Sequence, residues 1–563
     1  MDFESISYTK MEADVDMSES LKRKLFWSII ITSMFCTIPA AVRLNFLGSI
    51  MGAKLTLYPL LIGVLFSIYD WHKNGKSFSR EDKYVVYFLL LYGGVTFISL
   101  IHGLAIYPYY NDILNGPMNQ IEKLPKAYNL LHRFGIPVDE KMLLGIWLII
   151  RPIKGFILEI FWSFGISYMI YCWYRNHWEE GFSIMRKGLL WCIVIIVLYS
   201  ILDILYLYGF WGAETVLKFL NPIIHDIKQD GTWWPPLVWP GQLRSIFAEP
   251  SYFGIFAAFA MPWLWYSICK EKSYRKKVAM FILFTFYVIC LFLTRARTAN
   301  ALFLGELLLF GIASVLFRKE LLKNFIILAL CAIAALGIAS YGIDNFLPGS
   351  PEKAQVISEQ RAGHKPVNKA TNKATNKPTN KPVNVSGYMA DNLGSLASAD
   401  KRSNRSRYSI LKANIGIGMD YPVLGVGLGL RHAYIPEYLP KEAFSVSEIQ
   451  MWIRNQKEKG IMRSGFPSLG EYSSRFAETG ILGLIVYLIP AFFLIYRLLA
   501  VSCNKAVGSP KRIPYVFFLI SILGVLASGL GDSINITYAY WLLLGLGYAM
   551  CFGKKTISAL KSD

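Results

Sequence analysis

The chain has 563 residues, of which 54% are apolar, with a formal net charge of +20 and a mean hydropathy of +0.38. Apolar runs of about 20 residues recur from end to end, which is typical of a polytopic helical membrane protein. In a soluble chain this charge would favour nucleic acid binding, but in a membrane protein basic residues are expected at the cytoplasmic ends of helices. The composition therefore predicts an all-α integral membrane protein and argues against a nucleic acid ligand.

Residues 1–21 are polar and acidic and lack the basic start and cleavage site of a signal peptide, so we expect them to stay attached. The apolar runs predict about twelve membrane spans. We expect them near residues 25–42, 55–70, 84–105, 155–173, 188–209, 252–269, 278–294, 299–317, 324–342, 476–496, 514–530 and 536–553. Basic residues concentrate in the even-numbered connections, which predicts that both termini, including the tail at 554–563, are cytoplasmic.

A large extracytoplasmic loop is predicted at residues 343–475, between the first nine spans (residues 1–342 with the tail) and the last three (residues 476–553). Inside it, residues 366–384 repeat Thr-Asn-Lys followed by Ala or Pro. This repeat has no apolar face with which to offset the entropy of ordering, so we expect a disordered insertion. The eight cysteines all fall in predicted spans or cytoplasmic connections, and neither they nor the seven histidines show metal-ligand spacing.

Two charged segments are expected where membrane helices begin. The first runs from Arg244 through Glu249-Pro250 to Gly254, and the second joins two apolar runs with Arg295 and Arg297. Such charges favour binding of an anionic lipid head group at the membrane surface. Glu249-Pro250 is also what a helix start requires, and the two arginines could simply anchor a hairpin at lipid phosphates, with Arg295 the better anchor.

The large loop supplies further candidates. Arg407 lies in an amphipathic stretch, and Arg431 and His432 follow the glycine-rich turn 425–429. That turn either binds phosphate through its backbone or is a tight structural turn. Arg151 is expected at the outer mouth of the fourth span and Glu478 at the mouth of the tenth.

The order of these motifs resembles a known family. Arg-x4-Glu-Pro-Ser at 244–251, Leu-Thr-x-x-Arg-Thr at 293–298, Tyr-Pro-Val-Leu-Gly-Val-Gly at 421–427 and Ala-Glu-Thr-Gly-Ile-Leu-Gly at 477–483 are similar to the O-antigen polymerase (Wzy) and O-antigen ligase (WaaL) superfamily over residues 240–490. The resemblance implies a GT-C-like, metal-independent glycosyltransferase without cofactor. Its substrate would be an undecaprenyl diphosphate-linked oligosaccharide, used on the outer face of the bacterial cytoplasmic (inner) membrane.

The resemblance favours the polymerase branch for O-antigen, capsule or exopolysaccharide. The ligase branch usually carries a His-Asn pair where this chain has Leu469-Gly470, although His432 could substitute. An inverting polymerase would use Glu249 as the catalytic base, with Glu478 as second choice. Arg244 and Arg297 would hold the leaving diphosphate, with Arg295, Arg431, Arg151, Arg407 and His432 as further binding residues. An O-antigen ligase, a protein O-oligosaccharyltransferase and a lipid-linked oligosaccharide flippase remain alternatives, and a flippase and a chain-length regulator are expected partners.

Overall fold

The computed structural model describes residues 3–44, 52–75, 79–117, 120–121, 123–229, 233–239, 241–345, 388, 402–504 and 506–552. The Thr-Asn-Lys repeat at 366–384 and the tail at 554–563 lie outside these residues. The fold is all-α, as the composition predicts. The described residues contain two strands of two residues each, which pair antiparallel and are β1 (Lys228–Gln229) and β2 (Trp233–Trp234).

The described residues of the first half of the chain contain nine α-helices, and a π-helical turn at Phe161–Gly165 follows the sixth. They are α1 (Phe3–Thr32), α2 (Leu57–Asn74), α3 (Arg80–Ala105), α4 (Tyr110–Leu114), α5 (Lys123–Arg133), α6 (Glu140–Ile160), α7 (Ile166–Tyr174), α8 (Trp178–Leu207) and α9 (Trp211–Ile224). A capping box starts α3, because Ser79 accepts from the Asp82 amide and donates its own amide to the Asp82 carboxylate.

The second half begins with α10 (Pro250–Lys270), α11 (Tyr274–Leu293), α12 (Arg297–Leu316) and α13 (Arg318–Asn345). The described part of the predicted loop contains the α-helices α14 (Arg402–Asp420), α15 (Arg431–Tyr438) and α16 (Ser447–Lys459). The chain closes with α17 (Glu471–Cys503), α18 (Ser509–Ser528) and α19 (Ala539–Phe552).

Eight described helices are long and apolar enough to cross a membrane: α3, α8, α10, α11, α12, α13 from Leu321 to Ile343, α17 and α18. The other four predicted spans also fall on helices, but the bounds of these helices differ from the bounds of the predicted spans. The span predicted at 25–42 stops with α1 at Thr32, because the chain turns there and Pro39 precedes a short 3-10 helix. The other three coincide with α2, with the run from α6 through the π-helical turn to α7, and with the short α19.

The helices α10, α12 and α18 pack together in the interior of the bundle. About nine-tenths of the most apolar stretch of α10 is buried. Its Trp265 stacks on Phe310 of α12 with ring centroids 5.1 Å apart. Ser521 of α18 donates to the Phe259 carbonyl of α10 at 2.9 Å. In this arrangement α10 and α12 begin at the same end of the bundle and α18 finishes there. We call this end the site end.

The long helix α17 breaks at Gly480, whose φ of 62° and ψ of −168° are not helical. Residues 422–427, which include the first part of the glycine-rich turn 425–429, fit into this break. Val426 and Gly427 donate their amides to the carbonyls of Ala477 and Glu478, at 3.0 and 2.9 Å, and Ile481 donates back to the Pro422 carbonyl at 2.8 Å. A side chain at Gly480 would overlap the Val423 backbone, so glycine is required for this close approach.

Candidate active site

A cluster of charged side chains lies at the site end, where α10 and α12 begin. Glu249 occupies the N-cap position of α10, immediately before Pro250, and accepts a hydrogen bond of 3.2 Å from the Ser251 hydroxyl. Arg297 is the first residue of α12. The positive ends of two helix dipoles are therefore directed to one place, which favours a bound anion.

Arg407 of α14 is the second arginine of the cluster. Its Nη1 lies 3.1 Å from Oδ2 of Asp532 and also donates to the Gly531 carbonyl. Arg297 lies close enough to Arg407 for the two like charges to interact. The structure thus brings together two predicted arginines from distant parts of the chain and adds a carboxylate, Asp532, from the connection between α18 and α19.

The carboxyl groups of this cluster have perturbed acidities. Burial raises the pKa of Glu249, the nearby Asp532 raises it further, and Arg407 lowers it. Burial likewise raises the pKa of Asp532, and the ion pair with Arg407 opposes that rise. Glu448, which accepts a hydrogen bond of 2.5 Å from Ser406, also raises the pKa of Glu249. A carboxylate whose pKa is raised towards neutrality is a better proton acceptor than a free one.

Arg244 has a different environment. It is fully buried, and its guanidinium donates to the carbonyls of Leu237 at 3.1 Å and Phe247 at 2.6 Å and contacts Nε2 of His225 at 2.8 Å. The buried Asp203 balances its charge and accepts the amides of both Arg244 and Ser245. These bonds fold the loop that precedes α10, so we interpret Arg244 as a residue that positions Glu249.

Arg295 forms the turn between α11 and α12. Its φ of 52° is unusual for a residue other than glycine, and its amide bonds the Phe292 carbonyl at 3.0 Å. The same turn meets the Arg244 loop, because Leu243 donates to the Leu293 carbonyl at 3.0 Å. The two charged segments singled out in the sequence are therefore joined through their backbones.

Arg431 and Glu478 form an ion pair, with Nε and Oε1 3.2 Å apart. Arg431 also donates to the hydroxyl of Ser468 at 2.6 Å and approaches Asn414 Oδ1 at 3.4 Å. Burial lowers the pKa of Arg431, and the Glu478 carboxylate counteracts this. Both predicted binding residues thus hold the loop helices against the kink of α17.

A network around Arg475 was not predicted from the sequence. Arg475 donates to Glu471 Oε1 at 3.0 Å, to the Tyr92 hydroxyl at 3.1 Å and to Glu159. Glu471 joins this network to the connection between α18 and α19 that contains Asp532, because it accepts a hydrogen bond from the Ser533 hydroxyl at 2.7 Å. The signal in the sequence was Glu159, an ionisable residue inside a predicted span, which is a functional candidate by default.

His432 and Arg151 lie at the contact between α6 and the loop helices, where His432 is half-buried and Arg151 is exposed. The Phe466 amide donates to His432 Nδ1 at 3.2 Å, and burial together with Arg431 and Arg151 lowers the pKa of His432 well below its usual value. Arg151 donates to the Met462 carbonyl at 2.8 Å. A neutral imidazole whose Nδ1 is already bonded is a poor base at this nitrogen.

The glycine-rich turn is a structural one. The amides of Gly425, Val426 and Gly427 all donate to carbonyl groups of the chain, so they are not free to bind a phosphate. A Cβ atom on Gly425 would come within 2.6 Å of the carbonyl oxygen of Ala477. The glycines therefore allow the turn to approach the break of α17. This agrees with the interpretation of the sequence as a tight structural turn.

The Wzy_C family model, described as O-antigen ligase, matches residues 279–460. The match supports the O-antigen ligase/polymerase superfamily. A search of curated proteins finds no match. Members of the Wzy_C family are glycosyltransferase-like enzymes, both ligases and polymerases, so the match does not separate these two activities.

The matched region includes part of the cluster, namely Arg297 and Arg407, whereas Glu249 and Asp532 lie outside it. A bacterial membrane protein acting on lipid-linked oligosaccharides agrees with both the family and the membrane-spanning helices. Among the described residues no three His, Cys, Asp or Glu side chains are grouped to hold a metal ion. Metal independence remains a prediction.

Proposed function

We propose that this protein polymerises lipid-linked repeat units of a bacterial surface polysaccharide. The growing glycan leaves undecaprenyl diphosphate and is transferred to the non-reducing end of an incoming undecaprenyl diphosphate-linked unit. The observation that carries the proposal is the cluster of Glu249, Arg297 and Arg407 at one end of the bundle. It combines a proton acceptor with two cations, which are the groups that this transfer needs.

The two arginines would bind the leaving diphosphate. As the glycosidic bond breaks, negative charge grows on the diphosphate, and charge-assisted hydrogen bonds to it become stronger. Arg407 is held by Asp532, which orients its guanidinium and leaves further donors for a ligand. The amino-terminal ends of α10 and α12 add favourable dipoles at the same place.

Glu249 would take the proton from the attacking hydroxyl of the acceptor sugar. Its raised pKa suits this role, since a base with a pKa closer to the working pH accepts a proton more readily in the transition state. Asp532 is paired with Arg407 and is therefore not a free nucleophile. With Glu249 as the base and no covalent intermediate, the transfer would invert the configuration of the anomeric carbon.

An O-antigen ligase is the second candidate, because the matching family model carries that description. Such an enzyme would use the same lipid-linked donor with a lipid A core as the acceptor. The sequence favours the polymerase, since Leu469-Gly470 replaces the His-Asn pair that the resemblance leads us to expect in ligases. A protein O-oligosaccharyltransferase is a related alternative.

Reconstitution of the purified protein with one purified undecaprenyl diphosphate-linked repeat unit tests the proposal. A ladder of products separated by one repeat unit is expected of a polymerase. A single product on added lipid A core or on an acceptor protein would instead identify a ligase or an oligosaccharyltransferase. Translocation of the lipid without any new glycosidic bond would identify a flippase.

We further propose that the site end faces the periplasm or the cell exterior of the cytoplasmic membrane, with both termini in the cytoplasm. This orientation is supported by the basic residues in the even-numbered connections. The flippase that delivers the substrate and a chain-length regulator would then be its partners.

A further inference from the structure

Lys54 is a buried lysine in the connection between α1 and α2. The backbone on either side of it pairs with the segment that follows α1. The Ile38 amide donates to the Ala53 carbonyl at 2.8 Å, and the Leu55 amide donates to the Phe35 carbonyl at 3.1 Å. The residue is 3% exposed. Its position is therefore fixed by the main chain, and the side chain is held inside the protein.

Lys54 has an aromatic ring as its neighbour where a carboxylate would be expected. Its Nζ lies 5.1 Å from the ring centroid of Tyr538, within the range of a cation–π interaction. Among the described residues no carboxylate lies within 4.0 Å of Nζ, and the neighbouring segment 45–51 contains no acidic residue. A buried cation without an anionic partner is costly, which is consistent with burial lowering the pKa of Lys54 to about 8.

Two neighbours of Lys54 connect it to the active-site cluster. Tyr538 belongs to the same connection, 529–538, as Asp532. Tyr252 lies within electrostatic range of Cys36, the thiol beside Lys54, and also of Glu249, Asp532 and Arg407. Lys54 is thus linked to the candidate site through Tyr538 on one side and through Cys36 and Tyr252 on the other.

We propose that Lys54 is a third cation of this site and binds a phosphate group of the lipid-linked substrate. This assignment rests on the proposed function. The ammonium group is kept without a carboxylate partner, so it contributes its full charge when the anionic ligand arrives. The ring of Tyr538 holds it in place until then, because a ring face attracts a cation without neutralising it.

The proposal predicts opposite effects on stability and on binding. An unpaired buried charge weakens the folded state, so replacing Lys54 with methionine, which has a similar length, should leave the thermal midpoint equal or higher. The same change removes a charge-assisted hydrogen bond to phosphate and should weaken binding of the ligand. A lysine that merely fills space would not combine these two effects.

The experiment measures binding of a short-chain polyprenyl diphosphate without sugar to the purified full chain in nanodiscs. Lys54→Met and Lys54→Gln are compared with the wild type, and Lys441→Met serves as the control because Lys441 is exposed. We expect both Lys54 variants to bind the diphosphate at least about tenfold more weakly, with a thermal midpoint no lower than that of the wild type. The control should stay within about twofold.

A polyprenyl monophosphate and inorganic diphosphate are added as competitors to identify the source of the phosphate. Competition by both polyprenyl phosphates and not by inorganic diphosphate supports a lipid-linked ligand. Wild-type affinity in Lys54→Met and Lys54→Gln would overturn the role of Lys54 and leave the proposed function intact. If the wild type itself failed to bind the polyprenyl diphosphate, both proposals would be wrong.

Discussion

Gly254 of α10 lies directly against Ala299 of α12, so closely that a Cβ atom on Gly254 would be 2.6 Å from the Ala299 Cα atom and would overlap its Cβ atom. This contact sits five residues after Glu249 and two after Arg297. The spacing between the proton acceptor and the arginine therefore depends on two small residues just below them.

We predict that Gly254→Ala lowers both stability and activity, because the two helix starts must move apart. Overpacking of this kind costs about 1 to 3 kcal/mol. Gly305→Ala is the matched control, since a Cβ atom on Gly305 of α12 would meet nothing within 4 Å. The control should be neutral or slightly stabilising, through the higher helix propensity of alanine. Thermal unfolding and polymer synthesis are measured for both variants. Equal thermal midpoints and equal polymer synthesis in the two would contradict the prediction.

Arg297→Ala should nearly abolish polymer synthesis while the protein still accumulates in the membrane. Loss of two charge-assisted bonds to a leaving group costs roughly 2 to 4 kcal/mol of transition-state stabilisation, or about 30- to 1000-fold in rate. Lysine should rescue poorly, because a point charge does not reproduce the planar guanidinium. Arg295→Ala, at the turn, is expected to be milder. Wild-type rates in Arg297→Ala with purified substrate would exclude it from the site.

Arg244→Ala should destabilise the folded protein. The substitution leaves the carbonyls of Leu237 and Phe247 without their side-chain donor and removes the charge that balances the buried Asp203. Removing one of two balancing buried charges in this way costs about 3 to 5 kcal/mol. We therefore expect a lower thermal midpoint and less protein in the membrane. Arg454→Ala, in an exposed position on α16, is the control. Normal stability combined with loss of activity would instead indicate that Arg244 binds the diphosphate.

Cysteine labelling tests the orientation. In a background without the eight native cysteines, Asn376→Cys in the Thr-Asn-Lys repeat should react with an impermeant thiol reagent in intact spheroplasts, and Lys276→Cys should be protected. The reason is that basic connections such as that around Lys276 stay in the cytoplasm. The reverse pattern of labelling would show that the site end faces the cytoplasm.

Much of the architecture could be predicted from the sequence, because each membrane helix corresponds to a local run of apolar residues. The helix start at Glu249-Pro250 and the charged turn before Arg297 are also local signals, and both are found where they were expected. Span boundaries were less predictable. The break of α17 at Gly480 and the early end of α1 depend on contacts with distant segments.

The composition of the cluster could not be predicted in full. Asp532 lies in a short connection without any motif, and only the packing of the helices brings it to Glu249 and Arg407. Arg244 illustrates the converse. An arginine that binds backbone carbonyls inside the protein looks, in sequence, the same as one that faces a substrate.

The pH dependence of the reaction should reveal the partners of Glu249. If Glu249 is the base, the rate falls as the pH drops through its pKa, which burial and Asp532 raise and Arg407 lowers. Asp532→Asn removes a negative charge and should move this acid limb to lower pH. Arg407→Gln removes a positive charge and should move it to higher pH.

Both variants are expected to be slower than the wild type, so the measured quantity is the position of the acid limb of kcat/KM, determined with purified lipid-linked substrate. Glu249→Gln is the reference, because it keeps the size of the side chain but removes its basicity, and its residual rate should lose the limb altogether. Shifts of Asp532→Asn and Arg407→Gln in the same direction, or an unmoved limb in both, would show that another group accepts the proton.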